Sequence, residues 1–186
     1  MPTSLWPLAA SLLALSILAH RVAPSSAADP RTVLRAPELL MQVNRFRVQN
    51  DLRPVVRHAT LDRVAQSLAD DLALSGQLQH TDRLGRTLRF RVAGAGYRYR
   101  MVVENLARGQ PSAERVLDDW LASVGHRSNL LQAEVRHVGI GVTSAVGISY
   151  PELVWVLVLA EPFGAGAGEP LLIDVDQGRM STVPLN

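Results

Sequence analysis

The sequence predicts an α+β fold in which several helices pack against an antiparallel sheet. Apolar residues recur at helical spacing through the first two-thirds of the 186-residue chain, and two strand-like segments follow them. The hydrophobic fraction of 47% is sufficient for a buried core. We therefore expect one globular domain of ordinary size with short appendages.

The amino-terminal residues are typical of an export signal. An apolar run over 5–19 is shorter than the ~20 residues that cross a membrane, and small residues follow at 25–28. Signal peptidases prefer small side chains before the cut, so a signal peptide over 1–28 is expected, with no stable transmembrane span after cleavage. The alternative is an uncleaved membrane anchor. The expected location is secreted, periplasmic or in the cell envelope.

The first half of the chain predicts a short leader and three helices. Residues 29–36 are expected to be the leader, and the first helix is predicted to begin near Pro37, because proline suits the first helical turn. Thr60 is predicted to cap the second helix. Thr87 is predicted to begin a third, shorter helix that stops at Gly94. The second helix carries an apolar stripe made of Leu61, Val64, Ala65, Leu68, Ala69 and Leu72.

The second half predicts extended segments around a fourth helix. Residues 97–104 are expected to be extended, and Ser112 is predicted to cap a helix with Trp120 on its inner face. A short helical turn is expected around 126–131. Two strands follow at 138–142 and 154–159, and the second is apolar throughout, which predicts burial on both faces. Residues 164–186 are expected to be a Gly/Ala linker and a tail, with an additional edge strand near 171–175.

Composition excludes several classes of function. The chain has no cysteine, so it forms no disulfide and has no cysteine nucleophile. All nineteen basic residues are arginine, which excludes lysine chemistry. A net charge of +2 gives no reason to expect binding to nucleic acid. The sequence also lacks a serine nucleophile elbow, a zinc-protease helix motif and a phosphate-binding glycine loop.

Three short motifs stand in a fixed order within about fifty residues. They are Gln-His-Thr at 79–81, Glu-Asn-Leu-Ala at 104–107 and Gly-His-Arg-Ser-Asn-Leu-Leu at 125–131. This combination resembles the secreted CAP superfamily (the SCP or PR-1 domain) in its bacterial form. The resemblance covers about residues 37–163 and implies a three-layer α-β-α sandwich with a small antiparallel sheet.

The motifs also supply the candidate site. The resemblance implies that His80, Glu104 and His126 line a central cavity in which zinc can bind. As residue types, two imidazoles and one carboxylate suit either a divalent metal or a hydrogen-bonded cluster without metal. Asn105 and Asn129 recur with the motifs and are expected in the same cleft. Asn129 is also expected to hydrogen-bond the segment that carries Glu104.

The chain departs from the fullest family pattern at one position. Many eukaryotic members have a second glutamate three residues after the tryptophan of the fourth helix, and Ser123 stands there in this sequence. A missing carboxylate weakens both divalent-metal binding and general-base catalysis. We therefore expect that no cofactor is required, although zinc can still bind, and that the protein is not an enzyme.

The predicted function is an exported ligand-binding or interaction module with a lipid-like or peptide-like ligand. Two alternatives remain: a metal-dependent hydrolase that uses His80, Glu104 and His126, and an extracellular scaffold with a vestigial site. From Arg83 to Arg100 the chain has six arginines and no acid. This stretch is either a solvated surface or a patch that meets an anionic envelope surface, because guanidinium groups bind phosphate and carboxylate.

Overall fold

A computed structural model describes residues 30–145 and 152–164, with side chains from residue 35 onward. The predicted signal peptide, the segment 146–151 and the predicted tail from 165 lie outside the described residues. The helices are α1 (Pro30–Gln49), α2 (Ala59–Ser75), α3 (Leu88–Gly94), α4 (Ala113–Ala122) and α5 (Val124–Leu130). The strands are β1 (Val56–Arg57), β2 (Tyr99–Arg108), β3 (His137–Ala145) and β4 (Glu152–Pro162). Within these ranges, none of the helices has the length and apolar character needed to span a membrane.

The four strands form one mixed sheet in the order β1-β3-β4-β2. The antiparallel pairs β3–β4 and β2–β4 agree with the predicted antiparallel sheet. The edge strand β1 runs parallel to β3, however, with Val56 opposite His137. The predicted small antiparallel sheet is thus present as β2, β3 and β4, and the parallel edge strand β1, which was not predicted, makes the whole sheet mixed. A two-residue strand is too short to carry a sequence pattern, which explains why it was missed.

The sheet is covered on both faces, which gives the predicted α+β sandwich. Along β4, Val154, Val156 and Val158 belong to the core formed with α2. The alternating residues Trp155, Leu157 and Leu159 belong to the core formed with α1 and α4. This alternation confirms that the continuously apolar strand is buried on both faces.

Two glycines let α2 lie very close to β3. A Cβ atom built at Gly139 would be 2.2 Å from the backbone of Leu61, and one at Gly141 would be 2.4 Å from the backbone of Ala65. Real Cβ atoms do not approach backbone this closely. The two glycines therefore set the distance between helix and strand, while the intervening valine and isoleucine side chains fill the opposite core.

Several helix boundaries differ from the predictions. The first helix begins at Pro30, and Pro37 lies inside it. Proline suits the first turn at Pro30 as well, and at Pro37 it removes a single intrahelical hydrogen bond. The N-cap of α2 is His58, whose Nδ1 accepts a hydrogen bond from the amide of Thr60, so the predicted Thr60 cap is wrong. The Thr87 and Ser112 caps are confirmed.

Arg47, near the end of α1, is fully buried and has no carboxylate partner among the described residues. Its guanidinium group donates to the carbonyl oxygens of Arg53 at 2.9 Å, Leu130 at 2.8 Å and Gln132 at 3.0 Å. Burial lowers the pKa of Arg47 to about 10, with a contribution from the charge of Arg136, so Arg47 stays charged at neutral pH. This side chain joins the end of α1 to the end of α5.

Candidate functional site

His80 and Glu104 are in contact. His80 lies in the loop between α2 and α3, and its Nδ1 is 3.0 Å from Oε1 of Glu104. The imidazole is 61% exposed, whereas the carboxylate is only 1% exposed. The sequence predicts Glu104 at the end of an extended segment, but it lies inside β2, because that strand continues to Arg108. Two of the three residues predicted to share a cleft therefore meet.

Glu104 is neutralised by an arginine that was not among the predicted site residues. The side chain of Arg91, on α3, is 5% exposed, and its Nη2 lies 2.8 Å from Oε2 and 3.2 Å from Oε1 of the carboxylate. The same nitrogen donates to the carbonyl oxygen of His80 at 3.3 Å. Nε and Nη1 of Arg91 are buried with no hydrogen-bond partner among the described residues, so Nη2 alone makes these bonds.

A weak sequence signal for this role of Arg91 exists. Arg91 is three residues after Leu88 and directly precedes Val92, so it falls on the apolar side of the predicted third helix. A charged residue at such a position usually has a buried partner. Its partner could not be identified from sequence, because the nearest acids lie on other elements.

The two asparagines join β2 to α5. The side-chain amide of Asn105 donates to the carbonyl oxygen of His126 at 3.0 Å. The amide of Asn129 donates to the carbonyl oxygen of Glu104 at 3.2 Å and to the side-chain oxygen of Asn105 at 2.8 Å. The hydrogen bond predicted from Asn129 to the segment that carries Glu104 is thus present. These bonds bring the backbone of His126 next to the strand that holds Glu104.

The two imidazoles have opposite pKa shifts. The hydrogen bond to Glu104 raises the pKa of His80, against the opposing effects of burial and of the Arg91 charge. Burial lowers the pKa of His126, and the nearby charge of His80 lowers it further. His80 is therefore the imidazole that holds a proton more readily. In the described part of the chain, no hydrogen bond joins the ring of His126 to Glu104.

The residues present do not fit a zinc site in this arrangement. Among the described side chains, no group of three or more histidines and acids is close enough to hold a metal ion. Both oxygens of Glu104 already contact Arg91, so a divalent cation would have to displace a buried guanidinium group. Ser123, which stands where a second glutamate is common, lies between α4 and α5 and supplies no carboxylate.

The six arginines from 83 to 100 divide into four that have a carboxylate partner and two that have none among the described residues. Three of them form ion pairs within the fold: Arg83 with Asp71 at 3.3 Å, Arg86 with Asp82 at 2.6 Å and Arg91 with Glu104 at 2.8 Å. Arg100 has a looser partner, Glu161, at 3.9 Å. Arg89 and Arg98 have no carboxylate within 4.0 Å in the described part of the chain. Part of the stretch is therefore engaged in ion pairs within the fold, and only the remaining arginines could meet an anionic partner.

A second histidine cluster lies at the beginning of β3. The rings of His58 and His137 are stacked, with centroids 5.0 Å apart, and the hydroxyl group of Tyr97 is 2.8 Å from Nδ1 of His137. Burial lowers the pKa of His137, and the nearby charge of His58 adds to this effect. No partner for His58 could be identified from the sequence, since the three residues come from three separate segments.

The comparisons with known proteins agree with this architecture. The sequence profile described as "CAP: Cysteine-rich secretory protein family" matches residues 40–159. The uncharacterized protein YkwD of Bacillus subtilis is 26% identical over 134 residues, which cover 68% of this chain and 52% of YkwD. The uncharacterized membrane protein YlbC of the same organism is 25% identical over 105 residues, or 56% of this chain and 30% of YlbC. The match thus spans about half of YkwD and less of YlbC.

Two solved structures show the same fold. An outer surface protein from Borrelia burgdorferi matches 70% of this chain and 95% of its own, with a TM-score of 0.64. An extracellular protein containing an SCP domain from Bacillus anthracis matches 67% of this chain and 39% of its own, with a TM-score of 0.61. Each is 21% identical to this chain, which is a likeness of fold.

Proposed function

Because the chain belongs to the CAP (cysteine-rich secretory protein) family, we propose that it is an exported ligand-binding module with its site at His80. The expected signal peptide supports export. So do relatives described as an extracellular protein and an outer surface protein. The ligand that we propose carries a carboxylate on an apolar or peptide-like body.

The observation that carries this proposal is the ion pair between Arg91 and Glu104. The carboxylate is neutralised from inside the protein, so it is not free to hold a metal or to act as a base. It instead accepts a hydrogen bond from Nδ1 of His80. The exposed imidazole is thereby oriented. When His80 is protonated, which its raised pKa favours, both ring nitrogens carry a hydrogen and Nε2 can donate to a ligand atom.

A donor at the surface of the cleft favours a ligand with an acceptor group, and an anionic acceptor forms the stronger hydrogen bond. Exposed apolar side chains that neighbour the two histidines in the sequence suit the rest of such a ligand. Leu78, two residues before His80, and Val124, two residues before His126, are both exposed. Both a fatty acid and the free carboxyl end of a peptide combine these properties.

Nuclear magnetic resonance of the histidine ring signals tests this proposal. Octanoate and a short peptide with a free carboxyl end are expected to shift the His80 signals, whereas octanol and the amidated peptide are not. His80→Gln should weaken binding roughly tenfold or more, as loss of a hydrogen bond to a charged group does. Arg63→Gln, which removes a positive charge from the exposed surface of α2, is the control and should change little.

The same titrations separate the alternatives. Equal binding of the amidated peptide, or full binding by His80→Gln, would contradict a carboxylate site at His80. A protein that binds none of these probes would favour the scaffold.

Calorimetry with zinc and an ester and peptide substrate screen test the hydrolase. We expect weak zinc binding that decreases as the pH falls, because a histidine must lose its proton to bind a metal. Turnover that chelators and His80→Ala both abolish would establish the hydrolase instead.

A further inference from the structure

A second surface, on the outer side of α3, combines exposed aromatic rings with positive charge. An open cleft of about 310 Å³ lies between the end of α3 and the end of β4. Its lining residues are Ala93, Gly96, Tyr97, Arg98, Tyr99 and Phe163. None of these residues is among the contacting residues of the His80 site.

Two phenylalanine rings stand at this surface. Phe163 lines the cleft and is 58% exposed, and Phe90 is 63% exposed. Phe90 is three residues before Ala93 on α3, so both residues lie on the same side of the helix. Single exposed apolar residues are common on protein surfaces, but two large rings beside one cleft form a patch that a partner can cover.

Positive charge accompanies the rings. The guanidinium group of Arg98 lies 4.9 Å from the centroid of the Phe163 ring. Arg89 is four residues before Ala93, which puts it on the same side of α3. Neither arginine has a carboxylate within 4.0 Å among the described residues. The partner that complements this surface therefore supplies both negative charge and an apolar region.

We propose that this surface, defined by Arg89, Phe90, Arg98 and Phe163, docks the protein on an anionic lipid bilayer. A bilayer interface offers phosphate groups to the arginines and an apolar layer to the adjacent rings. A soluble ligand suits the geometry less well. The cleft is at the small end of ligand pockets, which enclose about 300–1,000 Å³, and the exposed rings project outward.

Flotation with lipid vesicles tests this proposal. The probe is the protein as exported by its expression host, with its amino terminus identified by mass spectrometry. Vesicles of phosphatidylcholine are compared with vesicles that contain about 30 mol% phosphatidylglycerol, since attraction to anionic lipid distinguishes this mode from nonspecific adhesion. We expect at least tenfold tighter binding to the anionic vesicles, and weaker binding as salt is added.

Matched variants identify the surface. Arg89→Ser with Arg98→Ser should weaken binding at least tenfold, because each arginine near an anionic surface contributes roughly fivefold. Phe90→Ser with Phe163→Ser should weaken it as well, and thermal unfolding will show that the exposed substitutions leave the fold intact. The control removes one exposed charge and one exposed apolar residue from α2, as Arg63→Ser with Leu74→Ser. It should change binding less than twofold.

Three results would overturn the proposal. Equal binding to neutral and anionic vesicles would show that electrostatic attraction does not drive binding. If the α2 control lost as much binding as the arginine and phenylalanine variants, binding would not depend specifically on this surface. Binding of a soluble short-chain phosphatidylglycerol without binding to vesicles would identify a small-molecule cleft instead.

Discussion

Gly139→Ala is expected to destabilise the protein strongly, because the added methyl group has no space. The new Cβ would be 2.2 Å from the backbone of Leu61 and 2.6 Å from its Cβ, whereas ordinary contacts begin near 3.4 Å. Helix α2 would have to recede from β3 by about 1 Å. No side chain can rotate to relieve the contact, because the opposing atoms are mainly backbone.

The cost follows from what this movement disturbs. Overpacking in a core costs about 1–3 kcal/mol and occasionally more. The recession of α2 would loosen six buried side chains at once, so we expect about 3 kcal/mol or more. Urea denaturation followed by tryptophan fluorescence measures this loss, since Trp120 and Trp155 are both buried.

Gly125→Ala is the matched control. Position 125 lies in α5, and a Cβ there would contact nothing within 4 Å. This substitution should be neutral or stabilise the protein by about 0.5–1 kcal/mol, because alanine favours a helix over glycine. A loss below about 1 kcal/mol for Gly139→Ala would refute the close-approach argument.

Three further predictions concern the core and the site. Trp120→Ala should lower the free energy of unfolding by about 3–5 kcal/mol, because the ring is buried and its Nε1 donates to a backbone carbonyl at 3.0 Å. Urea denaturation measures this loss, and a value below about 1 kcal/mol would contradict the prediction. In a pH titration by nuclear magnetic resonance, the midpoint should lie above 6.5 for His80 and below 6.5 for His126, and the reverse order would be inconsistent with the site. The contribution of His80 to stability should therefore be present below pH 6.5 and lost as the pH rises through its folded pKa, whereas that of His126 should be present above 6.5 and lost as the pH falls. Arg91→Met should cost about 3 kcal/mol, because it leaves a buried carboxylate with His80 as its remaining side-chain partner, and adding Glu104→Gln should recover much of this loss. No recovery would mean that the ion pair does not stabilise the site.

Elements with a long, regular apolar pattern could be predicted from the sequence. The stripe on α2 and the continuous apolar run of β4 each repeat one physical signal over several residues. The caps at Thr87 and Ser112 could be predicted as well, because a cap is a local interaction. The two-residue strand β1 could not, since its pairing with β3 is set by residues about eighty positions away.

Most of the contacting residues of the site were predictable, but the buried cation beside Glu104 was not. The motifs identified His80, Glu104 and the asparagines, and the structure brings these residues together. The motifs did not indicate which cation faces Glu104. The sequence pattern is compatible with either a metal ion or a guanidinium group beside the buried carboxylate. Only the packing of α3 on β2 identifies Arg91 as the partner.

The buried Arg47 makes the position of the short helix α5 depend on the end of α1, since the arginine and the carbonyl group that it holds are 83 residues apart in the chain. A helix of seven residues has little stability of its own, so its position comes from what holds it. Asn105 and Asn129 hold it against β2, and Arg47 holds its last carbonyl group against α1. A lysine could not replace this arginine, because an ammonium group cannot span three carbonyl oxygens with a planar fork. A change in α1 that displaces this guanidinium group is therefore expected to shift α5 and with it His126, although Arg47 is 79 positions away from that histidine in the chain.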